Sequence, residues 1–151
     1  MKIKLTFIAF LFIIFVSCSK DSETPSTQSK SLLELLTEKA WKADEVRVQL
    51  SNNSTAYYKR GGAGNTVNYD SDSLKFNTIN TGVYYYLGSE YTTTWNFTNS
   101  ENSKMTLIIN YPTPLTIYLE NINITQTYFK YAQYSTNGGI SYLASTTRTQ
   151  N

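Results

Sequence analysis

A strict two-residue alternation runs through the middle of this chain. Tyr91, Thr93, Trp95 and Phe97 fall on one phase, and Thr92, Thr94, Asn96 and Thr98 on the other. Alternate side chains point to opposite faces only in an extended strand, so the segment belongs to a sheet with one apolar side. Met105, Leu107 and Ile109 repeat the pattern against Thr106 and Asn110. Leu115, Ile117 and Leu119 share a phase that Ile122 and Ile124 do not, and the slip near Glu120-Asn121 predicts a β-bulge or a break into two strands. Further strands are read at Trp41–Leu50, Ala56–Lys59, Ser73–Asn77, Gly82–Leu87, Tyr128–Tyr134 and Ile140–Ser145. Turn residues separate them: Asn52-Asn53, the glycine-rich run 61–65, Asn80-Thr81-Gly82, Asn99-Ser100, Pro112-Thr113-Pro114 and Asn137-Gly138-Gly139.

Eight or nine short strands at intervals of roughly ten residues, with no helix between them, predict an antiparallel all-β domain. The expected architecture is an up-and-down eight-stranded barrel, with a β-sandwich as the alternative. Closure is favoured because an open meander would leave long edge strands, and few lysines are present to protect them. One helix precedes the strands. Ser31-Leu32-Leu33-Glu34 has capping-box spacing, and Leu32, Leu33, Leu35 and Leu36 give an apolar face ending near Glu38. Two turns are unstable alone, so this helix needs a packing partner.

Before the helix the chain changes character. Lys2 and Lys4 precede an apolar run from Leu5 to Val16, and Phe15-Val16-Ser17-Cys18 follows, with Cys18 the only cysteine. A positive start, a short apolar core and a small residue before a cleavage point make a secretory signal. The run is too short for a spanning helix, which needs roughly 20 apolar residues. A structural cysteine would need a disulfide partner that the chain lacks. The stretch resembles the lipobox of bacterial lipoproteins, with Phe15 where Leu is commonest and Val16 where Ala or Ser is. The resemblance implies cleavage before Cys18, lipid attachment to its sulfur, and a protein held on the bacterial outer membrane, on its periplasmic face or at the cell surface. Residues 18–30 contain no large apolar side chain and read as a lipidated flexible tether. Residues 31–151 form the domain.

Charge and composition narrow the function. Two of the 13 basic residues lie in the signal, so removing residues 1–17 leaves 11 against 11 acidic ones. Lys59-Arg60 is the nearest thing to a basic cluster, which argues against nucleic acid as a partner. Histidine is absent, so zinc, copper and haem sites lose their usual ligands and imidazole-based hydrolases are excluded. No cofactor, no metal and no enzymatic activity are expected.

From Leu32 to about Tyr134 the order of features resembles the lipocalin-like domains of Bacteroidota lipoproteins. Residues 35–42, ending Ala40-Trp41-Lys42, look like that family's opening helix running into a Trp-bearing strand. Ser73-Leu74-Lys75-Phe76-Asn77 with Thr81-Gly82-Val83-Tyr84, then Thr94-Trp95-Asn96-Phe97 and Met105–Ile109, look like its later strands. Lys39 stands where true lipocalins keep the Gly of Gly-x-Trp, and the tail from Ile140 has no obvious counterpart. The resemblance implies a barrel whose open end holds an apolar ligand.

The expected function is therefore binding of a small apolar or amphipathic ligand, with Tyr57, Tyr58, Tyr85 and Trp95 as candidate ligand-binding residues. The alternative is an envelope protein that meets another protein or a glycan through a Tyr-rich face, since 13 tyrosines supply both faces of strands such as Tyr84-Tyr85-Tyr86. Core packing competes with ligand contact for Trp41 and Trp95, and inward bulk at Trp95, Phe97, Met105, Leu107 and Ile109 predicts a mostly filled interior. Asp70-Ser71-Asp72-Ser73 alternates oxygens as calcium loops do, but it lacks their Gly and distal Glu and reads as a solvated loop.

Overall fold

The computed structural model describes residues 29–137 and 140–150, so Cys18 and the signal and most of the tether lie outside the described residues, as does the Gly138-Gly139 turn. One helix, α1 (Leu32–Glu38), is followed by nine strands: β1 (Trp41–Leu50), β2 (Thr55–Lys59), β3 (Ser73–Phe76), β4 (Thr81–Tyr86), β5 (Ser89–Phe97), β6 (Met105–Ile109), β7 (Leu115–Ile124), β8 (Tyr128–Asn137) and β9 (Ile140–Gln150). Every pairing is antiparallel.

β3 to β9 pair in sequence, and β9 then pairs back along the whole of β1, from Trp41↔Gln150 to Leu50↔Tyr142. With β1 also joined to β3 through Trp41↔Leu74, eight strands close into a barrel, which decides against the sandwich. The expected slip in β7 is a bulge rather than a break. The register shifts between Glu120 and Asn123, and Asn121 takes a positive φ of 54°. A second bulge at Asp44 interrupts the β1–β9 ladder.

β2 is an extra strand outside the eight. It pairs with β1 from Glu45↔Lys59 to Gln49↔Thr55, on the edge that β3 reaches only at Trp41 and Lys42. Arg60 fixes the place where β1 changes partners: its backbone N–H donates to Asp44 O and its guanidinium to Ala43 O. The outer edge of β2 is covered by its own loop, since Tyr57 N–H donates to Thr66 Oγ1, Thr66 N–H to Tyr57 O, and Lys59 N–H to Asn65 Oδ1. Those bonds occupy groups that would otherwise template pairing with another chain.

One end of the barrel is solid. Trp41, Phe76, Trp95 and Phe129 are buried and meet edge-on, Phe76 lying 5.5 Å from Trp95 and 5.8 Å from Phe129, and Trp41 5.7 Å from Phe129. Edge-to-face rings fill space densely and add about 0.5–1.5 kcal/mol per pair beyond burial. The capping box at Ser31 forms as expected, and α1 caps this end through Leu36, its one buried side chain, whose carbonyl accepts from Trp41 Nε1 at 2.8 Å. Burying one Leu contributes about 2 kcal/mol, a slight attachment for a two-turn helix.

Candidate functional site

Among the described residues the other end is open. Its mouth is a cavity of about 350 Å³ lined by Val48, Leu50, Tyr86, Tyr111 and Leu115 among others, and a chamber of about 70 Å³ lies beneath it. Both touch Val46, Tyr84, Ile109 and Ile117, and along each strand the chamber residues sit two positions deeper: Val46 below Val48, Tyr84 below Tyr86, Leu107 below Ile109. The expected filling of the interior thus holds for the capped half alone. The reason is side-chain size along two strands. β9 presents Ala144 and Thr146 inward, and β8 presents Gln133, where the capped half has Phe129.

The chamber floor is polar. Asp72, at the entry to β3, is 1% exposed, and Arg148 on β9 is 6% exposed. Arg148 Nη1 donates to Asp72 Oδ1 in a close ion pair and to Trp41 O at 3.1 Å, while its Nε donates to Tyr131 Oη at 2.8 Å. Tyr84 Oη donates to Asp72 Oδ2 at 2.6 Å. Burial works against the charge on Arg148, but the facing Asp72 carboxylate more than offsets it and holds the guanidinium protonated. Burial, then the same carboxylate, pushes the Tyr84 phenol well above its ordinary range. Among the described residues Asp72 and Arg148 are the only charged side chains lining either cavity, and they neutralise each other.

The four residues expected from sequence occupy other places, and none lines these two cavities. Trp95 points inward but belongs to the solid end, packed on Phe76 and Phe97, with Nε1 donating to Thr81 O at 2.8 Å. Tyr58 is fully buried against Ala43 and Val46 behind the β1–β2 hairpin, and its hydroxyl donates to Asp70 at 2.8 Å. Burial and that bond push its phenol up to about 12. Tyr85 faces outward opposite Glu90, whose carboxylate its hydroxyl meets. Tyr57 lines a separate outer groove of about 480 Å³, where the Arg47 guanidinium lies 4.9 Å from its ring centre.

Two site residues lay hidden in the sequence. Asp72, read as part of a solvated loop, is buried. It is buried because the chain enters β3 immediately after it, which carries its carboxylate inside the wall. Arg148 lies in the polar run Thr146-Thr147-Arg148-Thr149, beyond the point where alternation of apolar residues ends. A signal was present in length. A ten-residue β1 needs a partner of its own length to close the wall, and that requirement extends β9 past Ser145 to Arg148. No family model, curated protein or solved structure matches the chain.

Proposed function

We propose that the chain is a lipid-anchored binding protein of lipocalin-like type on the bacterial outer membrane, taking a small apolar or amphipathic ligand through the open end of its barrel. The mouth cavity carries this reading: about 350 Å³ of apolar and tyrosine-lined space above a charge-neutral floor. Such concave, mostly apolar sites with few polar groups suit small-molecule binding. The lining favours recognition over chemistry, because the one carboxylate and the one guanidinium are committed to each other. Anchoring rests on the residues ahead of Cys18. Two acyl chains, at about 0.8 kcal/mol per buried methylene, would hold the protein on the bilayer for its lifetime.

Two measurements test it. Labelled palmitate should enter the native protein and be lost in a Cys18→Ser variant. A native mass spectrum of protein taken from its own envelope should carry a small molecule that Leu115→Trp, which fills the mouth, excludes. Palmitate labelling unchanged in Cys18→Ser, or an identical spectrum for Leu115→Trp, would reject the corresponding half.

A second reading has its own observation. On the outer face, Tyr118 and Tyr134 stack with ring centres 5.0 Å apart, and Leu143 follows Tyr134 on the next strand. All three are exposed. Such a row suits an envelope protein or a glycan, and replacing both tyrosines by Ser would abolish that binding while leaving the cavity intact.

A further inference from the structure

We propose that the deep chamber receives the uncharged, hydroxyl-bearing end of an amphipathic ligand, whose apolar body then fills the mouth. This deepens the cavity-binding reading and rests on it. The donors and acceptors left over at the floor point to that chemistry. Tyr131 Oη accepts from Arg148 Nε, so its own hydrogen is directed to some other acceptor, and Tyr131 lines the chamber. Tyr84 has the opposite arrangement. Its hydrogen is committed to Asp72 Oδ2, leaving its oxygen as an acceptor. A hydroxyl is both donor and acceptor and answers both phenols at once. Gln133, which lines chamber and mouth alike, adds an amide of the same dual character.

Charge selects against the obvious competitors. A carboxylate entering beside Arg148 would meet a guanidinium already neutralised by Asp72, and an ammonium would meet a carboxylate already neutralised by Arg148. Either ion would leave its own water shell for a floor of zero net charge, and burying an unpaired charge is strongly unfavourable. The chamber volume of about 70 Å³ fits a polar end group and not an extended chain. Apolar walls at Leu107, Ile109 and Ile117 leave the rest of the ligand to the mouth.

The test uses three probes of one chain length: 1-octanol, octanoate and octylammonium. They are titrated at pH 7 by calorimetry into the full chain in lipid nanodiscs, with empty nanodiscs as the blank. Octanol should bind at least about tenfold more tightly than either ion, a difference of one decade in Kd. Tyr131→Phe should weaken octanol about fivefold, the loss of one neutral hydrogen bond, and leave the ions unchanged. Octanoate or octylammonium binding as tightly as octanol would overturn the head-group assignment while leaving the cavity reading standing. Binding of none of the three would overturn both. The native selectivity among probes decides the matter even where Tyr131→Phe fails to fold.

Discussion

Removing the charge on Asp72 should cost this barrel far more than its single position suggests. In Asp72→Asn the guanidinium of Arg148 stays buried, held by Trp41 O and Tyr131 Oη but without a counter-charge. Breaking a buried pair from one side costs about 3–5 kcal/mol. Arg148→Met should cost a similar amount, because it strands Asp72 with the Tyr84 hydroxyl alone. The double variant removes both charges. It forfeits only the bonds to Trp41 O and Tyr131 Oη, at about 1 kcal/mol each, so a net cost near 2 kcal/mol is expected. The two substitutions should therefore be strongly non-additive, with a coupling of about 4 kcal/mol or more. A domain of this size has about 6–18 kcal/mol in hand, enough for each single variant to fold and be measured. Urea unfolding is the assay. With a slope of about 2 kcal/mol per molar, each single substitution should lower the midpoint by about 2 M and the double by about half that. Single costs below about 1 kcal/mol, or costs that add in the double variant, would refute the picture of a sealed floor held by two mutually dependent charges.

Four smaller perturbations follow from local geometry. Gly82→Ala should destabilise by about 2–3 kcal/mol in the same urea assay, because its Cβ would fall 2.3 Å from Lys75 O and 2.7 Å from Thr93 Oγ1. Thr93→Val should stabilise by about 1 kcal/mol, since Thr93 Oγ1 is buried without a hydrogen-bond partner. Leu87→Asn should raise the thermal midpoint and add about 0.5–1 kcal/mol: Leu87 (φ 49°) and Gly88 (φ 79°) form a hairpin turn with two positive φ values, and Leu87 is 68% exposed with little packing to lose. Tyr58 holds its proton up to about 12 in the fold but near its ordinary value when unfolded, so the unfolded state loses the proton first. Stability should be fully present below about pH 10, decline as pH rises toward 12, and decline less in Tyr58→Phe, as denaturation at pH 8 and pH 11 would show. Parallel profiles for the two proteins would contradict it.

Alternation in the sequence located the wall well and the site poorly, for one geometric reason. A period of two states which face a residue occupies, and the face was right for Trp95, Met105, Leu107 and Ile109. It says nothing about height along the barrel axis, which depends on the stagger of all eight strands. Trp95 therefore points inward as read, yet lies among the rings of the capped end. Tyr84 and Tyr85 differ by one residue and stand on opposite sides of the wall, so assigning a role to the run Tyr84-Tyr85-Tyr86 needs the register with Tyr91, Glu90 and Ser89. Capping at Ser31 and the bulge after Glu120 were legible because each is a local event with local residues. Asp72 and Arg148 meet across 76 positions, and neither carries a neighbourhood that announces the other. The Leu87-Gly88 turn was hidden too, since a leucine at positive φ is what turn chemistry disfavours.

The seam between β1 and β9 joins Trp41 to Gln150. Bringing ends so far apart in sequence together carries a chain entropy cost of about 4 kcal/mol, incurred before a single bond of that ladder forms. As the chain emerges, its first strand therefore waits with a bare flank until its last strand arrives, and Asp72 waits with it for a counter-ion. Trimming the residues after Thr147 would remove three of the nine pairings of that seam, Trp41↔Gln150, Lys42↔Thr149 and Ala43↔Arg148, and with them the counter-ion of Asp72, so the capped end of the seam and the neutral floor are completed together, only when Arg148 to Gln150 are in place.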